Sequence, residues 1–226
     1  TGTGATQYIG GTGFQPDFTW IKERDATRSY ALYDSIRGVN NMLTSNTTAA
    51  ETTDASSSQD LVSFDTDGFT LGVGYHEREN RDGYTYVAWN WDMGGSNATN
   101  EEGDITSTVR ANATYGQSIV SYTGTGSNAT IGHGLSSAPE MIIVKNRDET
   151  EPWWVYHSSI GADGQLRLNT TGAEGSDGDV LWNSTTPASD VFSVGTNTGI
   201  NGSSDKCIAY CFHSVTGYSK FGSYEG

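Results

Sequence analysis

Aromatic rings, loop carboxylates and two cysteines are the residues of this 226-residue chain whose spacing could do chemistry. The densest aromatic cluster is Trp153, Trp154, Tyr156 and His157. Rings set among polar groups can stack on sugar rings, so these four are the candidate ligand-binding residues. On a strand, Trp154 and Tyr156 face one way and Trp153 and Val155 the other. One face must be core. The other is open to solvent, buried at a contact, or a glycan platform.

Two Asp-rich loops, DTDG (65–68) and SDGD (176–179), offer Asp65, Asp67, Asp177 and Asp179 as candidate Ca²⁺ ligands. Calcium takes about six to eight oxygens from a flexible loop, and Asp-x-Asp-Gly is a fragment of such a site. Asp-Gly is equally an ordinary hairpin turn. Asp25 in KERD and Asp148 in KNRD end two matching segments, and a local Arg–Asp pair at a strand-end turn is the expectation there. Cys207 and Cys211 lie four apart in CIAYCF. On a strand that spacing puts the Cα atoms about 13 Å apart, too far for a disulfide, so both are expected as small core residues. His76, His133, His157 and His213 fall in no metal or nucleophile motif, no G-x-S-x-G elbow is present, and no GK[ST] follows a Gly-rich stretch. No catalytic residue is assigned, and no enzyme is expected.

The elements that must carry these residues read as strands. SIVSY, FTWIKE, MIIVKN, YALYDS, WWVYHS, FTLGVG, VFSVG, YTYVAWNW and CIAYCF are rich in aromatic and β-branched residues. Gly, Asn, Asp and Ser clusters punctuate them. DSIRGVNNMLTS (34–45) could hold one helical turn. In GDITSTVRANATYG (103–116) the β-branched alternation favours a further strand. The fold class expected is all-β, with two tandem antiparallel β-sandwich domains of jelly-roll, lectin-like type.

The chain repeats itself. PDFTWIKERD (16–25) matches PEMIIVKNRD (139–148), and NTTAAE (46–51) matches NTTGAE (169–174) at the same spacing. The spacing then shortens by two residues, and YVAWNW (86–91) falls on CIAYCF (207–212). Repeat one lacks a counterpart of SIVSY, yet KFGSYEG (220–226) placed before TGTGATQYIG (1–10) reproduces the opening of repeat two. The expected organisation is repeat one at 1–102 and repeat two at 103–217. Residues 218–226 would be the start of a following repeat or a donated strand, completing the first domain in cis or pairing with another copy. Phe221, Ser223 and Tyr224 are the expected assembly residues.

Composition bounds the partners. Twelve basic residues against 27 acidic give a net charge of −15, which repels phosphate backbones and anionic membrane alike. No nucleic acid and no membrane is expected. No charged and apolar leader is visible, and no apolar run approaches a bilayer span.

The phrases DITSTVRANATYGQSIVSYTGTGSNATIGHGL (104–135), APEMIIVKNRD (138–148), WWVYHSSIGADGQLRLNTT (153–171), VFSVGTNTGINGS (191–203) and IAYCFHSVTGYSKFGSYEG (208–226) together resemble the tandem repeat domains of bacteriophage tail-fibre and other virion structural proteins, especially of marine phages. The resemblance covers nearly the whole chain. The first repeat departs more, at SFDTDGF (63–69) and YHERENRDG (75–83). It implies a non-enzymatic, extracellular part of a virus particle, assembling as a filament and serving host attachment. The implied partners are other copies or adjacent repeats, with host surface glycan as a further partner. A lectin-like carbohydrate-binding module is the alternative. No cofactor is implied, apart from the Ca²⁺ that the Asp loops could take.

Overall fold

Short runs of β-branched and aromatic residues, broken by Gly, Asp and Asn, leave the backbone little choice but hairpins and sheets. The computed structural model describes residues 1–54, 60–74 and 78–226; His76 lies outside them. The chain is all-β, with about 38% of residues in strands and 4% in helices, and its sheets are antiparallel. It forms two units, Thr1–Asp92 and Met93–Gly226.

In the first unit the strands are β1 (Gln7–Gly10), β2 (Phe18–Glu23), β3 (Ala31–Asp34), β4 (Asn41–Met42), β5 (Thr52–Thr53), β6 (Leu61–Asp65), β7 (Gly68–Leu71) and β8 (Tyr86–Trp91). They pair as β1-β7-β6, β3-β2-β8 and β4-β5. Ile21, Tyr33, Met42, Leu61, Phe69 and Leu71 form the buried core. DTDG is the β6–β7 hairpin turn. A Cβ on Gly68 would lie 2.0 Å from the Ile9 carbonyl oxygen, so only glycine lets β1 approach there. DSIRGVNNMLTS makes a single turn at 35–37, closed by the Gly38 N–H donating to the Asp34 carbonyl, and then runs into β4. Asp34 Oδ1 accepts from the N–H of Ile36 and Arg37, as a helix N-cap does.

In the second unit the strands are β9 (Ala98–Asn100), β10 (Ser107–Asn112), β11 (Gln117–Thr123), β12 (Ala129–Gly132), β13 (Met141–Asn146), β14 (Trp154–His157), β15 (Leu166–Arg167), β16 (Val191–Val194) and β17 (Lys206–Phe212). Two single-turn helices, α1 (Gly178–Leu181) and α2 (Thr198–Asn201), flank β16. Seven strands join as β15-β14-β13-β17-β11-β10-β9, and β12 pairs with β16. The sequence boundary at 102/103 falls beyond β9. That strand pairs with β10, so the division lies at Asp92/Met93.

The repeat seen in sequence is a repeat of pairings. β2–β3 corresponds to β13–β14, β1–β7 to β12–β16, and β2–β8 to β13–β17. The Leu32–Leu43 bridge corresponds to the Val155–Leu166 pair. One difference is topological. β17 sits between β13 and β11, whereas among the described residues β8 pairs with β2 and no other strand. The other is local: β7 pairs with β6 as well as β1, whereas β16 pairs, among the described residues, with β12.

Candidate functional site

The aromatic cluster is packing, not platform. Trp153 is wholly buried, and Trp154 and Tyr156 lie in the core of the second unit. The Tyr156 ring meets Trp182 edge-on at 5.9 Å, and Arg167 sits 4.7 Å above the Trp154 ring. A ring with no open face cannot stack a sugar, which corrects the ligand-binding reading of these residues. His157 does a turn's work: its Nδ1 accepts the Ser159 N–H, as Asp34 Oδ1 accepts the Ile36 N–H.

The Asp loops are also structural. Asp65 accepts from the hydroxyls of Ser63 and Thr70, and Asp67 accepts the N–H groups of Gly11 and Gly13. Asp177 accepts from Gln165 Nε2, and Asp179 is exposed on α1. Among the described residues no three His, Cys, Asp or Glu converge as a metal-binding group. The carboxylates are used to close hairpins and turns, a correction to the calcium reading of both loops. Cys207 and Cys211 are free and buried, and burial raises both thiols to about 12, so neither is a nucleophile at neutral pH.

A polar frame recurs in both units. Asn80 Nδ2 donates to the carbonyls of Ala5 and Gly72, and its Oδ1 accepts the Thr3 N–H. Asn201 makes the same bonds to Ser127, Gly195 and Thr125. Gly2 donates to the Tyr84 carbonyl at 2.7 Å, and Gly124 to that of Asp205 at 2.8 Å. Added Cβ atoms on Gly2 and Gly124 would each lie 2.3 Å from a carbonyl oxygen, so the close approach is built twice. The paired carboxylates hold the entry of β8 and β17: Asp25 accepts the Thr85 N–H and Asp148 the Lys206 N–H. Asp25 also accepts the Thr85 hydroxyl. Lys145 is buried, donates to the carbonyls of Asn146 and Glu149, and is lowered to about 8 chiefly by that burial.

Within that frame the two units differ at one place. In the second, Tyr122 on β11 is buried against Phe192, at 6.2 Å between rings, and its hydroxyl donates to the Ile200 carbonyl at 2.7 Å. In the first, the matching space beside β8 is a cavity of about 130 Å³ whose walls include Ile9, Phe69, Leu71, Tyr86 and Ala88. That volume suits an aromatic ring, since an apolar cavity of roughly 150 Å³ takes up benzene. Glu79 lines it, at the position held by Ile200 in the second unit. Glu79 Oε1 accepts from Tyr33 at 2.9 Å, while Glu79 Oε2 and the nearby Gln7 Oε1 are buried oxygens with no hydrogen-bond partner. Burial raises the Glu79 carboxyl to about 8; the Asp60 charge adds to this, and Tyr33 and Arg78 oppose it. Above the cavity the β8 residues are half-buried, Trp89 being 45% exposed, where β17 from Cys207 to Phe212 is buried throughout.

The alternation of antiparallel pairing directs the N–H and C=O groups of Tyr86, Ala88 and Asn90 away from β2. Apolar walls, outward-directed backbone groups and buried oxygens without partners can bind a strand carrying a ring and a hydroxyl. Glu79 and Gln7 were not singled out in the sequence. The signal was an acid aligned on an apolar residue of the other repeat.

The expected assembly residues lie at the other end of the chain. Phe221 packs 6.0 Å from Phe212, and its N–H donates to Ser214 Oγ. Residues 220–226 form no strand, Ser223 is exposed, and Tyr224 is 94% exposed.

No curated protein and no solved structure matches the chain. A family described as Domain of unknown function (DUF7483) matches over residues 1–226. A single family pattern thus spans both units and the terminal segment, and the chain belongs to the DUF7483 family.

Proposed function

We propose that this chain is a structural and adhesive module of a phage fibre or virion appendage, built of two β-sandwich units of jelly-roll type. It works outside the cell, without catalysis, by joining to further copies or adjacent repeats and presenting its loops to a host surface or neighbouring subunits. The single observation that carries this is the outer edge of β8, which no other strand among the described residues pairs, where the second unit's sheet continues through β11. An uncovered sheet edge pairs readily with another chain, and strand addition is a common joint between subunits. The resemblance of the repeat phrases to virion repeat domains supplies the setting. The lectin-like alternative loses its best candidates with the burial of Trp153, Trp154 and Tyr156.

Negative-stain electron microscopy of the concentrated protein tests the assembly. Elongated or regular particles are expected; monodisperse monomers at every concentration would sink it. A glycan array read with and without EDTA tests the adhesive part, and specific EDTA-sensitive binding would revive the lectin reading.

A further inference from the structure

We propose that residues Phe221–Tyr224 of a second copy of this chain add to the outer edge of β8 as an antiparallel strand, seating the Tyr224 ring in the cavity beneath. The inference rests on the assembly reading above and assigns its joint.

The second unit supplies the register. On β17, Ile119 lies opposite Tyr210, Val120 opposite Ala209, Ser121 opposite Ile208 and Tyr122 opposite Cys207. The β8 counterparts, fixed by the shared pairing to β2 and β13, are Trp89, Ala88, Val87 and Tyr86. The chain carries a second version of IVSY in FGSY (221–224). Transposed, Phe221 lies opposite Trp89, Ser223 opposite Val87 and Tyr224 opposite Tyr86. Thr1 already holds the place of Thr123, because Gly2 and Gly124 make the same carbonyl bond. The added strand therefore ends at Tyr224, and Glu225 and Gly226 turn outward.

The cavity supplies the fit. Its counterpart in the second unit is filled by Tyr122, whose hydroxyl is hydrogen-bonded within it. An entering phenol hydroxyl brings both a donor and an acceptor to a wall that holds two buried oxygens without partners: Gln7 Oε1, which accepts, and Glu79 Oε2, which carries the proton of the neutral acid and donates. Gly222 places no side chain where Val120 packs, so recognition falls on Tyr224 and Phe221. The donor is available: Tyr224 is almost wholly exposed, and Phe221 need only exchange the Phe212 ring for the half-exposed Trp89. Such cross-strand aromatic pairs are favourable. Lys220 and Glu225 flank the segment with opposite charges, and association should strengthen as salt screens the charge of −15.

Sedimentation velocity over a concentration series, on the full chain and on Tyr224→Ala, tests the joint. Tyr224 is exposed, so the substitution does not threaten folding. It is expected to weaken association at least about tenfold, as loss of an aromatic anchor from a pocket does. Tyr224→Phe keeps the ring, loses the donor and weakens it less. In a second arm, a Val87→Cys chain is oxidised together with a Ser223→Cys chain. Directly opposed residues are close enough for a disulfide, and the linked pair is expected. Assembly that Tyr224→Ala leaves unchanged overturns the inference and leaves the structural-module reading standing. A monomer at every concentration overturns both. A disulfide closed within a monomer carrying both substitutions puts the segment on its own first unit and overturns the assignment to a second copy.

Discussion

β8 and β17 are the same strand twice, and they differ in what lies beside them. Both pair with an FTWIKE-type neighbour in the same register, and both are entered through an Asp that accepts a backbone N–H. β17 then gains β11, and its residues from Cys207 onward are buried. β8 gains no strand among the described residues, and Tyr86, Ala88 and Trp89 stay partly in water. A strand's own residues therefore do not set its burial; the next strand does. An acid, Glu79, is buried beside the open edge where the second repeat has Ile200, and an aromatic, Tyr86, stands where it has Cys207.

Removing the ring that distinguishes the two units is the most severe test of this comparison. Tyr122→Ala should destabilise the second unit by about 3–5 kcal/mol for the cavity left, with about 1 kcal/mol more for the lost hydrogen bond. Urea unfolding of the full chain reads it, and a shift well under 1 kcal/mol would mean that the filled pocket matters little. A second difference lies in the buried triad of the first unit. Arg37 bonds Asp34 at 2.5 Å and Glu51 at 2.9 Å, with both its own and the Asp34 side chain fully buried. The second unit has Ile160 at that place. Arg37→Met removes the buried cation that Asp34 and Glu51 share and should cost about 3–5 kcal/mol, measured by the same unfolding.

Glu79 gives the comparison a pH dependence. Its folded value, about 8, lies above the ordinary 4.5. The carboxyl is therefore favoured neutral in the fold; its contribution is full below about pH 4.5 and is lost as pH rises through about 8. Glu79→Gln should remove that loss. The variant and parent should unfold differently above pH 8, by an amount on the order of several kcal/mol, and converge in acid. Parallel stability curves across this range would refute the burial of an ionisable carboxyl. Smallest of all, Tyr224→Ala should leave the melting temperature of the dilute protein unchanged while Tyr122→Ala lowers it. The two tyrosines occupy matching positions in sequence, and calorimetry of both variants separates a ring already seated from one still in solvent.

Much of the fold was legible in the sequence. FTWIKE and MIIVKN are β2 and β13 residue for residue, and ITSTV led into β10 as its β-branched alternation implied. The site was less legible. Alternation put Trp154 and Tyr156 on one face, but which face is covered depends on distant partners such as Trp182. DTDG offered oxygens for a cation, but Ser63, Thr70, Gly11 and Gly13 took them. The segment 34–45 was read as room for one helical turn, and one turn forms at 35–37 under the Asp34 side chain before the chain enters β4.

Local alternation, turn residues and internal repetition act within a few residues of chain or between copies of one phrase, so the sequence by itself determined the strands, their hairpins and the existence of two related units. Tertiary structure alone decided which strand ends a sheet, which acceptors are left without donors and where a ring-sized space remains. Those are outcomes of pairing between segments far apart in sequence, where one missing neighbour changes the burial of an entire strand.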